Sequence, residues 1–282
     1  MGTCTINIMD RISGAWANNE PLGILCIDFV KAFDSVEHEF IRNVLKLFHY
    51  GERFIGMVMT LLNARKARVN TGEGFTDTFD IKRGTPQGDR TSPFIFILCI
   101  EVLLIKIAEM DGNGINSCNF IKNWINGRGL DTWNINNECF ADDLTILFKM
   151  SLEGLNNILA VMENFKTISG LELNVKKTQL MVAGTEQYGV GDTVAGIEVV
   201  SSVKILGVKI DRKLEKLNEN WYEKINRVRR LAQFWSLQNL TICGRILVAK
   251  TFLLSQVIFL MDTLPLNIAD GNTINEIIAV HS

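Results

Sequence analysis

The tightest constraint on this chain comes from two short apolar runs that each carry acid at one end. Leu22 to Phe29 reads LGILCIDF, which suits a buried strand with Asp28 near its close. Far downstream, Glu138 to Lys149 reads as two short strands about a tight turn, with an acid pair, Asp142-Asp143, in CFADDLTILF. Taken singly, a strand-end Asp or an Asp pair in a hairpin is ordinary turn chemistry, since the short side chain bonds its own backbone. Taken together they are restrictive. If the two strands are neighbours in one sheet, three carboxylates meet at one edge and repel unless cations lie between them. Two magnesium ions about 3.5–4 Å apart would fill such a gap and form the clamp used for in-line nucleotidyl transfer.

The rest of the chain supplies strands and helices around those runs. The apolar positions Val36, Phe40, Ile41, Val44, Leu45 and Phe48 predict a helix over 35–48, stopped by Gly51, with a second helix over 52–62. Gly72 and Gly74 within 67–81 suggest a hairpin. A polar loop, Lys82 to Thr91, with Gly84, Pro86 and Gly88, leads into an apolar helix over 92–110, where Ser92 suits the N-cap and Pro93 the first turn. The Asn- and Gly-rich stretch 111–137 is hard to assign. Leu155, Ile158, Leu159, Met162, Phe165 and Ile168 predict an amphipathic helix over 151–169, closed by Gly170. Short strands at 179–182, 196–200 and 204–210 follow, and 215–260 turns helical. A domain boundary is expected near Asp211.

Charge and cysteine usage narrow the class. The formal net charge is -2, so the whole chain is no histone-like polycation. Yet from Lys204 to Arg230 there are nine Lys/Arg against four Asp/Glu, a local balance of +5. The six cysteines show no C-x-x-C pair and no His at zinc spacing, and read as buried thiols in a reducing compartment. No signal peptide is evident. The apolar runs Pro93–Ala108 and Thr251–Leu260 fall short of the roughly 20 residues that span a bilayer, so a soluble intracellular chain of cytoplasm and nucleus is expected, with no membrane partner.

The motifs extend this. D-F-V-K-A-F-D-S-V from Asp28 resembles motif A of reverse transcriptases, above all the non-LTR (LINE-type) retrotransposon group. RGTPQGDRTSPFIFIL resembles motif B and CFADD resembles motif C, in the same order. SGLELNVKKTQLMV resembles motif D, VKILGVKI the primer-grip motif, and LTICGRILVAKTFLLSQVIFLMDTLP a later LINE-type stretch. The resemblance covers nearly the whole chain, with 112–137 its poorest match. It implies an α+β fold, a polymerase palm of antiparallel sheet backed by helices in the split βαβ manner. It also implies a palm over residues 1–210 and a helical thumb-like segment over 211–282.

The same resemblance implies roles. Asp28, Asp142 and Asp143 would hold two Mg2+ ions, or Mn2+ in their place, aided by the Phe29 carbonyl. Phe33 would be the steric gate that excludes a 2′-hydroxyl. Gln87 and Gly88 would face the incoming nucleotide and template, and Lys177, or its neighbour Lys176, would protonate the leaving pyrophosphate. Leu206 and Gly207 would belong to the primer grip. The basic segment 212–230, with Trp221 and Tyr222, would follow the duplex backbone. RNA template, DNA primer and dNTPs are the implied partners; the oligomeric state is left open. Only 27 residues precede Asp28, and they resemble just the tail of the family's fingers region, so a fragment or a domesticated copy is expected. Two other readings remain: an inactive remnant that binds RNA or protein, and an RNA-dependent RNA polymerase, against which Ala141 and Phe33 speak.

Overall fold

The computed structural model describes residues 2–108, 137–140 and 143–281, with side chains described for 3–107 and 144–279. The stretch 111–136 and Asp142 lie outside the described residues, and of Asp143 only the backbone lies within them. The chain divides into two compact units, one of residues 23–180 and 191–199, the other of residues 1–22, 181–190 and 200–282.

The unit that begins at Gly23 carries most of a six-stranded sheet. Its strands are β1 (Leu22–Ile27), β4 (Asn137–Phe140), β5 (Asp143–Lys149), β6 (Gln179–Ala183), β7 (Thr193–Val194) and β8 (Ile197–Val199), in the order β4-β5-β1-β6-β8-β7. The β4–β5 hairpin is antiparallel with Phe140 opposite Asp143, whereas β6 and β8 run parallel. Leu144, Ile146 and Phe148 alternate in the sequence. In the fold every residue from Leu144 to Phe148 is buried. β5 has strands on both sides and is covered above and below, as central strands are. A small antiparallel pair, β2 (Lys66–Ala67) with β3 (Phe79–Asp80), forms the expected hairpin.

Helices back this sheet. α3 (His38–Leu47) packs on α4 (Glu52–Asn63), on α5 (Ser92–Ala108) and on α6 (Leu152–Ser169). The helix expected over 35–48 is broken: α2 (Ala32–Ser35) ends, and Val36 and Glu37 are extended before α3 starts. The reason is competition for main-chain groups. The Val36 carbonyl accepts from Gly84 N at 2.7 Å, and Glu37 N donates to Ser169 O at 2.9 Å. The N-cap expected at Ser92 is also corrected, because its hydroxyl donates to Pro86 O at 2.6 Å and is turned away from its own helix. On α6, Ser151 is the cap, accepting from Gly154 N, and Gly170 closes the helix at φ 78°. Ile168 is exposed; the buried stripe runs Leu155, Ile158, Met162, Phe165, Ser169, the i+3/i+4 spacing that puts residue 168 off the face.

The second unit opens with α1 (Gly2–Asn18), which has no counterpart in the sequence reading. Its buried residues Thr5, Ile8, Ile12 and Ala15 have helical spacing, so the signal is present in the sequence. A hairpin of β9 (Ser202–Ile205) and β10 (Val208–Asp211) turns on Leu206 and Gly207, at φ 50° and 84°. Two consecutive positive φ values are what a two-residue hairpin with native twist requires. α7 (Asn218–Ser236) follows, then α8 (Ile242–Val248), a π-helical segment Ala249–Leu254 and α9 (Ser255–Met261) in one continuous helix, and last α10 (Ile268–His281).

That continuous helix corrects the expectation drawn from run length. Thr241 accepts from Gly244 N and starts it well before Thr251, so its twenty residues, Ile242–Met261, are long and apolar enough to cross a bilayer by length and composition. Within the unit one stripe of it is buried, at Val248, Ala249, Leu253, Val257 and Leu260. The thiols are corrected too: Cys99 is buried and Cys26 half-buried, while Cys243 is exposed.

Candidate active site

The site grows from the end of β1. Asp28 follows the last strand residue, and the segment 172–178 wraps it. Phe29 bridges Leu173, Val30 N donates to Glu172 O at 2.9 Å, and Asn174 N donates to Asp28 O at 2.8 Å. The carboxylate itself is held by Asn174, whose Nδ2 donates to Oδ2 at 3.0 Å, while Asp28 N donates to the buried Thr178 hydroxyl at 3.4 Å. Lys177 Nζ stands 3.8 Å from the same Oδ2. At 70% exposure for the lysine and 43% for the aspartate, that ion pair is screened and contributes about 0–1 kcal/mol.

The acid pair approaches through the sheet. Cys26 Sγ lies 3.9 Å from Thr145 Oγ1, and a Cβ on Gly23 would lie 2.6 Å from the Phe148 ring. Three residues back on β1 correspond to three residues forward on β5, so the strands are antiparallel in one register. The end of β1 that carries Asp28 therefore lies beside the start of β5, where the strand begins at Asp143. Among the described residues no group of three His, Cys, Asp or Glu side chains could hold a metal; Asp142 and the Asp143 side chain lie outside them.

The motif B loop is pinned to the chain that follows Asp28. Thr85 N donates to Phe33 O at 2.7 Å, Arg83 bridges Glu37, and Gln87 Nε2 donates to Asp34 Oδ2 at 3.4 Å. Gly84 is at φ 77°, and a Cβ there would lie 2.6 Å from Asp34 O. Gly88 is at φ 87° in open space. Phe33 is half-buried with its ring 4.6 Å from that of Phe96. The loop lines a cavity of about 670 Å3 together with Arg65, Lys66, Lys82 and Arg83. Burial holds the Arg65 guanidinium below its ordinary value. Hydrogen bonds from the Thr91 amide and hydroxyl pull the Asp89 carboxyl down.

The structure therefore brings Asp28, Phe29, Phe33, Gln87, Gly88 and Lys177 into one unit, while Leu206 and Gly207 belong to the other. The sequence reading of Trp221 at a duplex is corrected: Trp221 is buried, and its Nε1 donates to Pro265 O at 2.9 Å. Arg212 is likewise committed, to Glu186. Tyr222, Arg227, Arg229 and Arg230 are exposed, as are Lys213 and Lys216. Sequence reasoning missed Asn174, Thr178, His38 and Arg65. The first two stand inside the quoted SGLELNVKKTQLMV; nothing local marked the other two.

The chain as a whole is matched by known proteins. The family described as reverse transcriptase (RNA-dependent DNA polymerase) matches residues 3–210. The chain belongs to that family. The retrotransposon kinship expected from the motifs is borne out by two relatives. The Pol polyprotein of the type-2 retrotransposable element R2DM of Drosophila melanogaster is 31% identical over 156 residues, 54% of this chain. That of a type-1 R2 element of Popillia japonica is 28% identical over 168 residues, 59% of this chain. The matched regions span 13% and 22% of those relatives. Among solved structures, apo telomerase from Candida tropicalis has a TM-score of 0.53 at 14% identity, over 98% of this chain and 46% of that one. The fold of this reverse transcriptase-family chain is thus shared with telomerase, in keeping with a palm and helical thumb.

Proposed function

We propose that the chain performs RNA-directed DNA synthesis, extending a DNA primer on an RNA template with dNTPs. The observation that carries this reading is that β1, which ends just before Asp28, neighbours β5, which starts at Asp143, in a chain of this family; this supports a shared acidic site. Asp28, Asp142 and Asp143 are the residues that would hold two Mg2+ ions, or Mn2+ in their place. Such a pair supplies charge neutralisation for the attacking and leaving oxygens.

The chain's own groups do the rest. Asn174 orients the Asp28 carboxylate through its amide. Lys177 carries a proton at Nζ within reach of the same carboxylate and can donate it to the leaving pyrophosphate. Phe33, backed by Phe96, offers a flat ring against which a 2′-hydroxyl would clash. Gln87 and Gly88 bound the nucleotide on the loop side. In this reading residues 1–210 form the palm and 211–282 a thumb-like segment, with Leu206 and Gly207 at the primer.

The test is primer extension on an RNA template annealed to a DNA primer, with Mg2+ or Mn2+, beside an Asp142→Asn control. Extension with dNTPs that disappears in the control supports the reading. A folded protein that binds the duplex yet never extends the primer sinks it and leaves a nucleic-acid-binding remnant.

A further inference from the structure

Beneath the motif B loop lies a polar lock that no role so far uses. His38, the first residue of α3, is only 7% exposed. Its Nε2 lies 3.0 Å from the Gly84 carbonyl oxygen and 3.4 Å from Arg65 Nη2, and in the Nε2–H tautomer it donates to that carbonyl. Its Nδ1 is then the accepting nitrogen, and the Asn63 side-chain amide 3.0 Å away ties the ring to α4 by presenting its nitrogen to it. Arg65 Nη2 donates to the same Gly84 oxygen, while its Nε donates to Leu62 O at 3.2 Å. One carbonyl thus takes two donors, one of them cationic, from residues anchored on separate helical elements.

The position of that carbonyl matters. Gly84 N is bonded to Val36 O, Thr85 N to Phe33 O, and Gln87 to Asp34. With the Gly84 peptide held from below, the loop cannot slide along α2, so the spacing between the Phe33 ring and Gln87 is set as one piece. We propose that His38 is a positioning residue which, through the Gly84 carbonyl, sets the gap between Phe33 and Gln87 and so governs discrimination between deoxy- and ribonucleotides. This rests on the functional reading above. A functional constellation must be held within about 0.5 Å of its productive geometry, a tighter demand than folding makes. Loosening the loop therefore affects sugar selection before it affects the fold.

The test compares His38→Leu, which removes the donor, with His38→Gln, whose amide can supply one near the Nε2 position. Single-nucleotide extension on an RNA template and DNA primer is measured with dNTP and with rNTP, and the two kcat/KM values are compared. His38→Leu should lower the dNTP-over-rNTP ratio about tenfold, the scale of one lost hydrogen bond to a fixed acceptor, and His38→Gln should restore most of it. A merely structural loss lowers both rates together and leaves the ratio unmoved, which would overturn the proposal, as would a His38→Gln variant as unselective as His38→Leu. Amide hydrogen exchange of residues 83–88 reads the lock without catalysis. Faster exchange in His38→Leu, recovered in His38→Gln, is expected, and unchanged exchange overturns the proposal. If the wild-type protein fails to extend any primer, that result counts against the functional reading, and the exchange experiment alone decides the lock.

Discussion

Replacing Gly84 by alanine tests the packing of the motif B loop against the chain after Asp28 most directly. Two costs add. At φ 77° an L residue sits in the left-handed region, which costs about 1–2 kcal/mol without any contact at all. The new Cβ would also lie 2.6 Å from Asp34 O and 2.7 Å from Asp34 C and Cα, all main chain. Rigid backbone cannot rotate away as a side chain would, and forcing an extra carbon into packed space costs about 1–3 kcal/mol more. The expected loss is about 2–5 kcal/mol. Gly88→Ala is the internal control, since Gly88 is at φ 87° with open space around it and should lose only the backbone share, about 1–2 kcal/mol. Urea unfolding followed by far-UV circular dichroism measures both, with the slope m required to stay unchanged. Equal losses for the two variants would refute the reasoning, because then the contact with Asp34 costs nothing.

Two more predictions follow from side chains. Asn174→Ala should reduce the rate of primer extension about tenfold or more while leaving duplex affinity unchanged, since a hydrogen bond to a charged group is worth about 1.5–3 kcal/mol and this one orients Asp28; unchanged turnover in single-turnover kinetics would refute it. Burial pushes the Cys99 thiol from an ordinary 9.0 up to about 12. Its folded value lies above its unfolded value, so its contribution is fully present below pH 9 and is lost as the pH rises towards 12. In the native protein at pH 8.5, iodoacetamide should modify the exposed Cys243 and spare Cys99, as mass spectrometry of the digest would read; modification of Cys99 at the rate of Cys243 would count against its burial.

Much of this was legible in the chain itself. Short-range pattern fixes local structure wherever one face must be buried, which is why β1, α4, α5 and α6 lie within a few residues of their expected bounds. The motifs around Asp28, Gln87 and Lys177 marked a candidate site by residue type and order, and the family that they resemble is the one that matches residues 3–210. Tertiary contacts decided the rest. Val36 and Glu37 belong by periodicity to a helix, yet their backbone groups are taken by Gly84 and Ser169, and the helix breaks. Trp221 reads as a nucleic-acid contact in a basic stretch, but its indole finds the Pro265 carbonyl and the core. His38 and Arg65 carry no sequence mark, because a residue that acts by holding a carbonyl forty-six or nineteen positions away shows no local period. Periodicity records which face of an element meets apolar surroundings; which distant backbone group a polar side chain satisfies is settled only when the elements pack.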